Sequence, residues 1–162
     1  MGEVSSLKKS NYIRGLKNGI PIGLGYIPTS MACGIAATKA GLGFGLSEIM
    51  GLLMYTSSGQ AAALNLLNGG ETSIIMYVIT LFVMNCRYIL FSMTIAQKFD
   101  NSVGTLQRVG FGLFNTDEIF GVAMKEKRQL SASYLFGLAT APYIGFVLGN
   151  TLGACFTNLL PA

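Results

Sequence analysis

Five apolar stretches separated by short charged clusters organise this chain. They cover residues 19–38, 47–67, 72–97, 103–124 and 133–160. The charges gather at Lys8–Lys17, Lys98–Asp100 and Lys125–Arg128, with long uncharged runs between them. Stretches of about 20 apolar residues have the length a helix needs to cross a bilayer. The pattern predicts an all-α, polytopic transmembrane helical bundle of about four to five membrane segments. No linker interrupts it, so residues 1–162 read as a single integral membrane domain.

Each stretch is imperfect in its middle. The first holds Pro28, with Gly23 and Gly25 just before it, and a proline inside a helix removes a backbone hydrogen bond. This predicts a broken helix at Pro28, although proline and glycine are also common in ordinary membrane helices. The second has a small, polar centre, Tyr55-Thr56-Ser57-Ser58-Gly59-Gln60. The third carries Asn85 and Arg87 in its latter half. The fourth is interrupted by Asp117-Glu118 and reads as a short span, a re-entrant segment or a surface helix. The fifth contains Pro142. Broken membrane helices expose half-helix ends that hold charged substrate groups in secondary transporters.

Small residues recur every fourth position at Gly15, Gly19 and Gly23, and again at Ser133, Gly137, Ala141, Gly145, Gly149, Gly153 and Thr157. Such stripes let helix backbones approach closely. Gly19, Gly23, Gly145, Gly149 and Gly153 are therefore the candidate packing positions, within the subunit or against a partner.

Composition sharpens this reading. Of 162 residues, 51% are hydrophobic and only 11% charged, and the mean hydropathy is +0.54. The net charge of +4 comes from basic residues flanking apolar runs. That arrangement fits topology and anionic lipid, not nucleic acid. Four of these residues, Lys8, Lys9, Arg14 and Lys17, make 1–18 a basic, cytoplasmic N-terminus. The chain has no histidine, the commonest metal ligand and acid–base group. Cys33, Cys86 and Cys155 are widely spaced and read as structural thiols. No metal site, no cofactor and no enzyme activity are expected.

Arg87 is the sharpest candidate for function. A guanidinium at the centre of a membrane helix costs at least about 2.5–3.5 kcal/mol and demands a counter-charge, a carbonyl cage or water. It either serves an interior pathway or snorkels to an interface. Asp117 or Glu118 is its candidate partner, while the same two acids after Asn115-Thr116 also read as a helix start. Gln60, Asn85, Tyr55 and Tyr88 offer polar groups that bind a substrate or join helices. Glu48, near the start of its run, reads most simply as interfacial.

The ordered set of landmarks resembles the AzlC family, the large subunit of bacterial branched-chain amino-acid exporters. The matching residues are Gly19-Ile20-Pro21, Gly25-Tyr26-Ile27-Pro28, the Tyr55–Gln60 segment, Asn85-Cys86-Arg87-Tyr88-Ile89-Leu90, and Phe111-Gly112-Leu113 before Thr116-Asp117-Glu118. Tyr88 stands where the family usually has histidine, and Thr56-Ser57-Ser58 replaces smaller residues. The chain ends where the family continues through further apolar helices, so it corresponds to an incomplete N-terminal portion of that fold. The resemblance implies a multi-pass protein of the bacterial cytoplasmic membrane that exports valine, isoleucine and leucine. It also implies proton coupling and a small hydrophobic AzlD-type partner subunit. The candidate pathway is then Arg87, Asn85, Tyr88, Asp117, Glu118, Gln60, Tyr55 and Pro28. A packing subunit without its own pathway is the alternative.

Overall fold

The computed structural model describes residues 2–69, 73–100 and 103–159. Seven helices lie within them: α1 (Gly2–Lys39), α2 (Phe44–Leu53), α3 (Ser57–Leu67), α4 (Ile74–Ala96), α5 (Thr105–Gly112), α6 (Asp117–Lys125) and α7 (Ala132–Leu159). Thr72 and Leu160, where two predicted stretches begin and end, fall outside the described residues. The chain is an all-α membrane protein, and among the described residues α1, α4 and α7 are the helices long and apolar enough to cross a bilayer. At 1.5 Å per residue α4 measures about 35 Å, enough for the hydrocarbon core. The second and fourth stretches instead each form two short helices around a break, at Met54–Thr56 and at Leu113–Thr116. Helices of this length reach about 12–16 Å, roughly half a bilayer.

Pro28 does not break its helix as the sequence reading expected. α1 runs without interruption through Pro21 and Pro28. The Ser30 hydroxyl lies 2.7 Å from the Tyr26 carbonyl and 3.2 Å from that of Ile27. The carbonyl that Pro28 leaves without its helical N–H is that of Leu24, four residues back, and the helix continues past it. No half-helix N-terminus is therefore available at Pro28.

The contacts divide the chain into two compact units. One comprises Met1–Gly23 and Cys86–Tyr143. The other comprises Leu24–Asn85 and Ile144–Ala162.

In the first unit α1 and α7 run parallel, because Gly15, Gly19 and Gly23 meet Tyr134, Leu138 and Ala141 in that order. A Cβ on Gly19 would lie 2.5 Å from the Leu138 carbonyl oxygen, and one on Gly23 2.6 Å from that of Ala141. Only glycine permits this backbone approach. The segment between α4 and α7 leaves and returns at one point. Asp100 donates its N–H to the Leu130 carbonyl (3.0 Å), and Leu130 donates to that of Lys98 (2.8 Å). The fourth stretch is thus a re-entrant hairpin and not a crossing. Its return helix α6 lies parallel to the second half of α4. Arg87 meets Asp117, Phe91 stacks on Phe120 at 4.2 Å, and Lys98 reaches the carbonyls of Met124 and Glu126. Ile95, Phe111, Ile119, Leu130, Leu135 and Leu138 fill the core between these helices.

In the second unit α7 packs on α1 through Gly149 and Gly153, which meet Ile27 and Met31, while Gly34 meets Asn150 and Ala154. The first hairpin, α2 and α3, lies against this pair. Ser47 and Glu48 contact Asn150 and Thr151, and Tyr55 packs edge-on against Phe146 at 5.2 Å. Residue number therefore rises along α2 as it falls along α7, so the two helices are antiparallel.

The hairpins share one plan. Each opens after an extended glycine N-cap, Gly43 or Gly104. Each turns at a short break whose last residue is a threonine N-cap, Thr56 or Thr116. The threonine hydroxyl accepts an N–H of the return helix, from Gly59 in one and Ile119 in the other, both at 3.4 Å. Those side chains satisfy backbone donors that lipid cannot.

Candidate functional site

The break in the second hairpin gathers the strongest polar groups of the first unit. Phe114 sets its depth by packing edge-on against Tyr143, 5.5 Å away in the middle of α7. Thr116 caps α6, placing Asp117 and Glu118 in the first turn, where acids complement the helix dipole. Asp117 also forms a 2.8 Å ion pair with Arg87. The two readings of these acids hold together because α6 begins beside the middle of α4, so its capped first turn also faces Arg87. Arg87 lies about 14 Å along α4 from its last residue, Ala96, near half the hydrocarbon thickness.

Arg87 is further held by Tyr88. Its guanidinium donates to the Tyr88 hydroxyl at 3.3 Å and stands 5.1 Å from the ring centroid. The pair is not sealed: the Arg87 side chain is 53% exposed and that of Asp117 39%. A guanidinium that meets a carboxylate and stays half exposed is suited to meet a second anion.

Asn115 completes this arrangement, and the sequence reading passed over it except as an alternative cap. The residue is 5% exposed, and both polar atoms of its amide are buried without a hydrogen-bond partner. Thr116 takes the capping role and leaves Asn115 a donor and an acceptor unused. One oxygen of Asp117, Oδ1, is likewise buried and unpartnered. Burying such groups unpaired costs about 1–3 kcal/mol each, so an open set of this kind is a feature that needs a reason. Its position beside a capped break was the one signal available in the sequence.

The other predicted residues lie elsewhere. Asn85 donates to the Leu81 carbonyl of its own helix at 2.7 Å and is exposed. In the second unit, Tyr55 packs among Tyr26 and Phe146. Gln60 is 1% exposed and donates to the Met54 carbonyl at 2.8 Å, with its own carbonyl oxygen unpartnered. It ties α3 to the first break. Pro28 is an exposed residue within α1. Gly145 is buried. Among the described residues no group of three or more acidic or thiol side chains is placed to hold a metal.

Comparison with known proteins agrees with the resemblance read from the motifs. The family model described as AzlC protein matches residues 21–160. The chain belongs to the AzlC family. Among curated relatives of this AzlC protein, the inner membrane protein YgaZ of Escherichia coli (strain K12) is 28% identical over 153 residues. That match covers 90% of this chain and 60% of YgaZ. An uncharacterized membrane protein of Archaeoglobus fulgidus is 32% identical over 149 residues, covering 91% of this chain and 64% of the relative. The AzlC chain described here thus spans less than two thirds of the length of both. No solved structure matches it significantly. It is a membrane protein of a transport-related family.

Proposed function

We propose that this protein is the large subunit of a secondary exporter that moves valine, isoleucine and leucine out across the bacterial cytoplasmic membrane, with proton coupling. The observation that carries the reading is the half-open Arg87–Asp117 pair at a mid-membrane hairpin break, with the Asn115 amide unpaired beside it. The substrate carboxylate is assigned to Arg87 and its ammonium to Asp117. Asn115 adds a donor and an acceptor. The choice of branched-chain substrates rests on the motif resemblance.

Orientation follows from the basic residues. Arg14 pairs with Glu126 at 3.6 Å and Lys98 binds the carbonyls that end α6, so the N-terminal half of α1, the end of α4 and the start of α7 share one basic end. The preference of such clusters for the cytoplasmic side supports that end lying inside. α4 carries uncovered apolar side chains along its length, including Ile75, Phe82, Leu90 and Met93. That face supports an AzlD-type partner beside lipid.

The test is flux. The protein, reconstituted with its partner in liposomes, is expected to export labelled valine, and Arg87→Ala is expected to abolish this. Wild-type flux in Arg87→Ala overturns the assignment.

A further inference from the structure

The basic residues around the end of the second hairpin converge on one concavity. Lys17 of α1, Lys125 at the end of α6, and Lys127 and Arg128 just after it line a cleft of about 590 Å³. A cleft of that volume is large enough for a small ligand. All four side chains are exposed, and among the described residues no carboxylate pairs with any of them. One acid, Glu126, also lines the cleft. Its Oε2 lies 3.6 Å from Arg14, and its Oε1 accepts the N–H of Arg128 at 3.3 Å. That carboxylate answers Arg14 and leaves the four cations uncompensated. The negative end of the α6 dipole would also repel an anion. It is masked, because Lys98 Nζ donates to the Met124 and Glu126 carbonyls at 2.8 and 2.9 Å.

The depth of the cleft points to the ligand. Lys98 follows α4 two residues after its end at Ala96, and α4 has the length of the hydrocarbon core. The carbonyls that Lys98 holds belong to the chain around the cleft, so the cleft lies at headgroup level. Its wall is apolar at Pro21 and Val122. Tyr134 is buried at its back, with its ring 5.0 Å from the Arg14 guanidinium and its hydroxyl accepting from Asn18 at 3.0 Å. Ile20, one turn further along α1 from Lys17, is exposed. Cations above apolar side chains match an anionic headgroup above its acyl chains, and basic pockets between membrane helices bind such headgroups.

We propose that this cleft is a binding site for one anionic phospholipid. Lys17, Lys125, Lys127 and Arg128 hold its phosphate, and Pro21, Val122 and Ile20 meet its glycerol and upper chains. Arg128 brings the planar fork that suits phosphate oxygens. Four cations exceed the single charge of one phosphodiester, so a headgroup with two phosphates fits best. The positive-inside preference needs only a number of charges on one side, whereas a site needs them to converge.

The test is native mass spectrometry of the whole chain in detergent, titrated with cardiolipin, phosphatidylglycerol or phosphatidylcholine. One cardiolipin is expected to bind ahead of phosphatidylglycerol, and both well ahead of phosphatidylcholine. Lys17→Gln/Arg128→Gln is expected to weaken cardiolipin by about 25-fold, about fivefold for each cation lost. Lys8→Gln/Lys9→Gln removes the same charge from α1 outside the cleft and is expected to leave the affinity unchanged. Glu126→Gln removes the one acid and is expected to tighten binding, a gain that misfolding cannot produce. Equal losses in the two double variants, or equal binding of cardiolipin and phosphatidylcholine, overturn the proposal. Displacement of cardiolipin by inorganic phosphate overturns it in favour of a soluble phosphate ligand, and displacement by polyglutamate in favour of an acidic protein segment. These outcomes need no flux, so they stand apart from the exporter reading.

Discussion

Two glycines on α1 make opposite predictions for the same substitution. A Cβ at Gly19 would stand 2.5 Å from the Leu138 carbonyl oxygen and 3.2 Å from Pro142 Cδ, whereas one at Gly25 meets nothing within 4 Å. Gly19→Ala must push α1 and α7 apart by about 1 Å to restore an ordinary contact, and overpacking of this kind typically costs about 1–3 kcal/mol. Alanine is a better helix former than glycine by about 1 kcal/mol at either position. Gly25→Ala is therefore expected to be neutral or stabilising by up to about 1 kcal/mol. Gly19→Ala is expected to fall below it by about 1–3 kcal/mol. Reversible unfolding in mixed detergent micelles, with each variant measured beside wild type, gives the difference directly. Equal stabilities would refute the close approach of α1 to α7 in the first unit.

Four further outcomes follow. Arg87→Gln leaves Asp117 without its partner and is expected to lower the folded yield in size-exclusion chromatography. Adding Asp117→Asn is expected to restore the yield while valine flux stays absent, because the charges of the site are gone. Asn115→Leu removes two unpaired polar atoms, so thermal stability is expected to hold or rise while flux falls. Lys98→Met deletes two charge-assisted hydrogen bonds to the end of α6, each worth about 1.5–3 kcal/mol; hydrogen exchange is expected to quicken across Asp117–Lys125. Lys9→Cys and Lys127→Cys are expected to react with an impermeant maleimide only from the cytoplasmic side; labelling on opposite sides would show that the fourth stretch crosses.

The chain order of hydrophobic and charged positions determined the class of this protein. Apolar runs of bilayer length have few soluble alternatives, and α4 and α7 lie within a residue or two of the stretches read from the sequence. The motif order was equally legible and named the family. Arg87 stood out because a permanent charge in an apolar run is expensive wherever it lies. What remained hidden depended on contacts between distant segments. Pro28 looked like a break, but it costs the helix one backbone hydrogen bond, and α1 is held against α7 both before it, at Gly23, and after it, at Gly34. The fourth stretch was ambiguous because half-bilayer helices and a full span share one composition. Its re-entry was decided by Asp100 and Leu130 meeting. Asn115 is unremarkable as a letter. It acquires meaning from the two amide atoms left without partners, and only tertiary structure decides which atoms those are.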